Sequence, residues 1–259
     1  MSAPKPAGWD DEAVPPVSVC ARCGLPTCSG CPAPPPAPTS AMPWEDTPRP
    51  WLERLWQTAL DTSTEPERVF AELTSGRVSP ALRFAILSET LALGSLVLLG
   101  SGGLWLGAPE LGRKLARDPE AIAAGLGLLA GSVLLMLVLH VLWGICLDVG
   151  AGLGRGPLDV RHGARFGLYA CGWDLMTSPI GVFWSLLFAG PLRGFAPVGA
   201  AARAARPAQR AYLETCRGFG ANERRRGVRL AIVVVGGVVA FTGVALFVAL
   251  IALSHQLGY

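Results

Sequence analysis

Four cysteines near the start of the chain have the spacing of metal ligands. They form two C-x2-C pairs separated by four residues: Cys20, Cys23, Cys28 and Cys31. Four thiolates can close a tetrahedral shell around zinc, so the sequence predicts one structural zinc ion in a knuckle over residues 20–31. Because the gap is shorter than in most zinc ribbons, redox-active thiols and an iron–sulfur cluster stay as alternatives. A reducing cytosol disfavours disulfides.

Three polar side chains lie inside otherwise apolar segments: Glu89, His140 and Asp174. Such residues are functional candidates, because burying an unpaired polar group in lipid is costly. Glu89 is eight residues from Ala81 and His140 is seven from Leu147. At 1.5 Å per residue both lie about 11–12 Å from the inner ends of their helices, which predicts a contact between them. One interpretation is a hydrogen bond that locks two helices, and the other is a proton or ion relay.

The remaining sequence contains no pattern typical of catalysis. A nucleophile elbow, a phosphate loop and an HExxH motif are all missing from it, so the sequence predicts no enzymatic activity. Cys146, Cys171 and Cys216 are isolated, and we interpret each as a small apolar side chain.

The composition indicates that these residues sit in a membrane protein. The chain is 51% hydrophobic and 16% charged, with a mean hydropathy of +0.42. A bilayer core of about 30 Å needs roughly 20 apolar residues in a helix. Three segments meet this requirement and are predicted to span: 81–107, 121–147 and 229–253.

Pro179 divides a fourth apolar region, over residues 164–202, into two pieces. One kinked crossing, a re-entrant hairpin and two crossings are the possible topologies. Nine arginines follow the first piece, from Arg193 to Arg229. A single crossing would break the positive-inside rule, which favours zero or two crossings here, and we predict two, over 164–178 and 180–202. The predicted fold class is an all-α integral membrane protein with about five transmembrane helices.

The segments before the predicted spans differ from them in composition. Residues 1–48 are rich in proline and lack a continuous apolar stretch, which predicts a disordered cytosolic tail without a signal peptide. Residues 49–79 contain apolar side chains at helical spacing and predict short amphipathic helices in the head-group region. A helix docked on the protein's own membrane domain fits the same pattern. The transmembrane domain is predicted to occupy residues 80–259.

The arginines of the long loop have a further candidate role in binding anionic lipid head groups. The residues concerned are Arg203, Arg206, Arg210, Arg224, Arg225 and Arg226. The net charge of +3 is too small and scattered to indicate nucleic-acid binding. The preference for arginine, alanine, glycine and proline is typical of a high-GC bacterium, so we predict the bacterial cytoplasmic membrane with the N-terminus in the cytosol.

Several short motifs occur in an order that is similar to a known family. They are Pro43-Trp44-Glu45, Pro66-Glu-Arg-Val-Phe70, Gly167-Leu-Tyr169-Ala170, and Pro179, Gly181 and Trp184 before a basic loop. From Pro43 to Leu253 the chain resembles the bacterial branch of the Yip family, named for members that interact with Ypt/Rab GTPases. The resemblance implies five membrane helices without enzymatic chemistry, with the tetra-cysteine tail as an addition.

Three functions follow as expectations. The first is a non-enzymatic Yip-type scaffold or adaptor that binds an unidentified protein partner. Its surroundings are a bilayer with anionic head groups, and a homo-oligomer is compatible with the sequence. The alternative is a small transporter or channel that uses Glu89, His140 and Asp174. The third is a metal or redox sensor anchored in the membrane. A polar cavity touching the three residues favours transport, and a dry bundle favours a scaffold.

Overall fold

A computed structural model describes residues 42–45, 48–153 and 159–256. The described residues form helices joined by short connections and contain no strand. The four tail cysteines of the predicted zinc knuckle lie outside them.

Three long helices form the frame of the membrane domain: α3 (Val78–Gly107), α5 (Pro119–Gly152) and α9 (Ala221–Gln256). All three are long and apolar enough to cross a membrane. Their outer surfaces carry bare apolar side chains, with Leu98 and Phe241 each 75% exposed, which requires a non-aqueous surrounding. The prediction of an all-α integral membrane protein is confirmed.

A short amphipathic helix, α4 (Pro109–Arg117), connects α3 to α5. The next helix begins where the sequence supplies a cap: the carboxylate of Asp118 accepts hydrogen bonds from the backbone N–H groups of Glu120 and Ala121, and Pro119 occupies the first turn. Proline lacks the N–H that would be unpaired there, so this position favours it.

The region of the two predicted shorter spans folds as three helices: α6 (Val160–Thr177), α7 (Pro179–Arg193) and α8 (Ala196–Arg210). The prediction of a helix over 164–178 is close to α6. In contrast, the predicted segment 180–202 is divided between α7 and α8. Gly190 takes a φ of +73°, a conformation that glycine adopts readily, and it precedes Pro191, which disfavours the α region.

Helix α6 lies against α5 at a distance that only glycines permit. Gly144 of α5 faces Gly163 of α6, and Gly167 faces the backbone carbonyl of His140. A Cβ atom on Gly144 would overlap the carbonyl oxygen of Gly163, and one on Gly167 would overlap that of His140. Small residues at such positions let helix backbones pack directly, which is how membrane helices gain contact area.

The chain before α3 forms a cap on these helices: a 3₁₀ turn (Pro43–Glu45), α1 (Trp51–Thr64) and α2 (Pro66–Ala71). In α1, Leu55 and Ala59 are buried, while Trp51 is 55% exposed. The backbone carbonyl of Thr62 accepts a hydrogen bond of 2.9 Å from the indole of Trp173 in α6. The body of α1 is therefore docked on the protein itself, and only its first turn has the exposed apolar side chains of an interfacial helix.

The glycine contact generates a prediction for stability. Gly144→Leu should lower the melting temperature of the detergent-solubilised protein strongly, because overpacking costs typically 1–3 kcal/mol and here the obstacle is backbone. Gly127→Leu is the matched control in the same helix, since a side chain at Gly127 meets nothing within 4 Å. Equal loss of stability in the two variants would contradict the proposed packing.

Candidate functional site

Four side chains from three helices meet inside the bundle and form what we call the polar cluster. Glu89 comes from α3, His140 from α5, and Cys171 and Asp174 from α6. Cys171 follows Gly167 by one helical turn, and His140 precedes Gly144 by one turn. The glycine contact between α5 and α6 therefore sets the separation of these polar groups.

The imidazole of His140 stands between the two carboxylates. Its Nδ1 atom lies 3.7 Å from Oε1 of Glu89, and its Nε2 atom lies 3.3 Å from Oδ2 of Asp174. Nδ1 is also 3.0 Å from the backbone carbonyl oxygen of Met136, one turn earlier in α5. With the proton on Nδ1 donated to that carbonyl, Nε2 presents a lone pair to Asp174. Two acceptors at this distance need a proton or a cation between them.

Burial of carboxylate oxygens without hydrogen bonds makes the polar cluster unfavourable in free energy. Glu89 is only 1% exposed, and neither of its carboxylate oxygens has a hydrogen-bond partner. Oδ2 of Asp174 is buried without a hydrogen bond as well. In the described part of the chain, no arginine or lysine forms an ion pair with either carboxylate. Buried polar groups are normally satisfied, so the cluster has the character of a binding site rather than of a completed lock.

The depth argument predicted that Glu89 and His140 meet, and the structure brings them together with Asp174. Cys171 was missed, because a lone cysteine in an apolar helix reads as a small apolar residue. A signal for it existed in the spacing. Cys171 lies three residues before Asp174, and that spacing puts two side chains on the same face of a helix.

A cavity of about 260 Å³ opens beside the cluster. Its walls include His140 and Trp173, with Gln209 of α8 as the other polar side chain, and are otherwise apolar. Neither Glu89 nor Asp174 lines it. The cavity thus reaches the cluster at the imidazole but does not have the continuous polar lining that a transport path needs.

A second polar network lies where α5 ends and α6 begins, and all of its acceptors are paired. A short π-helix, Ala211–Cys216, follows α8 and brings Tyr212 and Arg217 to Asp148. Arg217 donates two hydrogen bonds to the Asp148 carboxylate, at 2.8 and 3.0 Å, and the Tyr212 hydroxyl donates a third at 3.1 Å. A buried charge paired in this way is structural, because every acceptor is used.

His162 belongs to the same inner region. Its Nε2 atom donates to the backbone carbonyl of Leu73 at 2.8 Å and lies 3.5 Å from the sulfur of Cys216. Burial lowers the pKa of His162, so the ring stays neutral at neutral pH and serves as a hydrogen-bond donor.

The six arginines predicted to bind lipid head groups do not act as one surface. Arg210 and Arg224 both form ion pairs with Glu214, each at 3.1 Å, and Arg226 donates to the backbone carbonyl of Leu153. Arg203 borders a depression that also contains Glu65 and Glu67. The exposed members remain available to head groups: Arg203, Arg206, Arg210, Arg225 and Arg226.

Comparisons with protein-family models, with curated proteins and with solved structures found no match. The fold and the site define the class of protein: a helical integral membrane protein with a buried, unsatisfied polar cluster. A more particular function has to be argued from the residues themselves.

The cluster geometry makes a prediction about coupling. Glu89→Leu and His140→Leu should each destabilise the protein, and the double variant should cost less than the sum. Polar contacts in membrane proteins show coupling of about 0.6 kcal/mol on average and about 1.7 kcal/mol at most, so the difference should fall in that range.

The control cycle combines Glu89→Leu with Arg113→Leu, since Arg113 is an exposed residue of α4 that pairs with Glu110. Its effects should add. Chemical unfolding in detergent measures all the variants. If the Glu89 and His140 effects are additive within error, the contact carries no free energy.

Proposed function

We propose that this protein is a non-enzymatic adaptor of Yip type in the bacterial cytoplasmic membrane, and that it binds an acidic segment of a partner protein at its cytosolic face. The observation that carries the proposal is a basic groove beside the start of α3. The groove contains Arg77 at its centre, with Arg83 and Arg161 on either side.

The basic groove consists of two adjoining depressions that share Arg77. One, of about 670 Å³, lies between the loop before α3 and the start of α6 and includes Arg161. The other, of about 440 Å³, includes Trp44, Arg54 and Arg83. An aromatic wall beside several guanidinium groups suits a peptide that carries both carboxylates and an apolar side chain.

The charges in the groove are unbalanced. Arg77 and Arg83 are exposed, and neither has an ion-pair partner among the described residues. The acidic side chains nearby are already engaged: Glu45 accepts hydrogen bonds from Arg165 and Tyr169, and Asp159 caps the first turn of α6. An uncompensated positive surface raises the association rate with acidic partners and selects against basic ones.

The motifs that carry the Yip resemblance support the proposal, because they meet in space. The Glu45 carboxylate accepts from the Tyr169 hydroxyl at 2.6 Å, although 124 residues separate them. The Trp44 indole donates to the backbone carbonyl of Pro80 at 2.7 Å. The ring of Phe70 lies 4.8 Å from that of Phe166. These contacts hold the cap on the membrane helices.

The proposed topology has five membrane helices, with the N-terminus in the cytosol and the C-terminus on the other side. Helices α3, α5 and α9 cross, and α6 and α7 enter and return as a pair. One aromatic contact supports the return, since Trp184 of α7 lies 5.5 Å from Trp56 of α1. This arrangement keeps the arginines of α8 on the cytosolic side.

Labelling of single cysteines tests this topology. In a background without the seven native cysteines, Arg113→Cys and His255→Cys should react with a membrane-impermeant maleimide in intact cells. Arg206→Cys should react only after the membrane is permeabilised. Labelling of Arg206→Cys in intact cells would place α8 outside and refute the paired arrangement of α6 and α7.

Crosslinking tests the adaptor role. A photoreactive amino acid at Val78, an uncharged residue in the groove wall, should crosslink to an acidic segment of another protein. The double reversal Arg77→Glu and Arg83→Glu should reduce the yield about tenfold or more, because each reversed pair changes by about 1 kcal/mol or more.

The matched control reverses Arg113 and Lys114 in α4, which should leave the yield unchanged. Crosslinks to lipid alone, or a yield that ignores the reversal at Arg77 and Arg83, would refute a protein partner at the basic groove.

A further inference from the structure

We propose that the polar cluster is a binding site for a divalent transition-metal ion of the zinc class. Glu89, His140 and Cys171 are the ligands, and Asp174 is the candidate fourth ligand. The inference does not depend on the adaptor role, because it concerns different residues in a different part of the fold.

The ligand atoms lie within reach of one ion. A carboxylate oxygen of Glu89, a ring nitrogen of His140 and the sulfur of Cys171 are all within 4.8 Å of one another. Bonds of about 2.0–2.3 Å place neighbouring ligands of a tetrahedral zinc ion about 3.3–3.8 Å apart. The three groups therefore converge by up to about 1.5 Å when the ion binds, and each of them ends on a rotatable bond that permits this movement.

The histidine has the support that metal ligands usually have. Its Nδ1 atom is 3.0 Å from the backbone carbonyl of Met136, a partner that fixes one tautomer and leaves Nε2 as the donor of a lone pair. Glu89, which lies 3.7 Å from Nδ1, turns toward Nε2 when the ion binds. Nε2 faces Oδ2 of Asp174 at 3.3 Å. Two neighbouring ligands of a tetrahedral ion are separated by about this distance, given bonds of about 2.0–2.1 Å.

A dication resolves the charge problem of the site. The Glu89 carboxylate is 1% exposed, and both of its oxygens are without hydrogen bonds. One carboxylate and one thiolate neutralise a divalent ion, and the thiol proton leaves to solvent when the metal enters. The ion supplies the partner that the buried oxygens otherwise lack, so binding should stabilise the contact of α3, α5 and α6.

The chemistry of the ligands selects the kind of metal. A thiolate and an imidazole favour zinc and neighbouring transition metals, whereas magnesium and calcium prefer shells made only of oxygen. The ion also has a way in. The Asp174 side chain is 36% exposed, and the cavity of about 260 Å³ reaches the imidazole of His140.

Cobalt(II) is the appropriate probe, because its complexes with thiolates absorb light that zinc complexes do not. The protein is the full chain in detergent, with the tail cysteines Cys20, Cys23, Cys28 and Cys31 changed to serine so that they cannot contribute. We expect about one cobalt ion per chain and a thiolate-to-cobalt charge-transfer band.

Two variants of this tail-free protein, with a third as control, identify the ligands. Cys171→Ser should abolish the charge-transfer band, while Cys146→Ser, a buried cysteine of α5 outside the cluster, should keep it. Glu89→Gln should weaken cobalt binding by more than the roughly 10–100-fold that loss of an outer-shell partner costs.

A second measurement covers variants that fail to fold. Zinc should raise the melting temperature of the tail-free protein, and magnesium should not. Three results would each overturn the site. They are a missing charge-transfer band, a band that survives in Cys171→Ser, and a melting temperature that zinc leaves unchanged. In that event a shared proton, rather than a metal, satisfies Glu89.

Discussion

The close approach of α5 and α6 is the contact on which the rest of the structure depends. Gly144, Gly163 and Gly167 have no side chains to hold the two backbones apart, so the carbonyl of His140 touches α6 directly. The same device recurs on the other side of α5, where a Cβ on Gly150 would lie 2.8 Å from the Cα of Gly227 in α9. Because lipid gives no hydrophobic advantage to helix association, this direct packing has to supply the cohesion.

The two buried polar networks of the bundle differ in a way that separates structure from function. Asp148 accepts hydrogen bonds from both Arg217 and Tyr212, so the inner network is satisfied by the protein alone. Neither Glu89 oxygen has a hydrogen-bond partner, and its neighbours are the His140 imidazole, the Cys171 sulfur and the Asp174 carboxyl group of the same cluster. Only the cluster at Glu89 therefore has coordination to offer to something that is not part of the chain.

Hydropathy was sufficient to predict the long helices, because a span is recognised by its own composition, and equal depth was sufficient to bring Glu89 to His140. Two features could not be predicted from hydropathy or from depth. The break in α7 lies at Gly190-Pro191, a local turn signal that hydropathy does not register because both residues stand inside an apolar segment. The role of Cys171 depends on which helices α6 packs against. Gly163 and Gly167 determine those neighbours through contacts with residues 19 and 27 positions away in sequence, Gly144 and His140.

Helix α6 joins the cap to the polar cluster without a flexible joint. Near its start, Arg165 donates to Glu45 and to the backbone carbonyl of Thr74, and near its end Asp174 faces His140. The helix is continuous from Val160 to Thr177, so a displacement at one end is carried to the other. Suppose that α6 has two positions that differ in their contacts at both ends. A ligand at the cluster and a partner at the cap then both shift the equilibrium between these positions. Each must change the affinity for the other by the same factor.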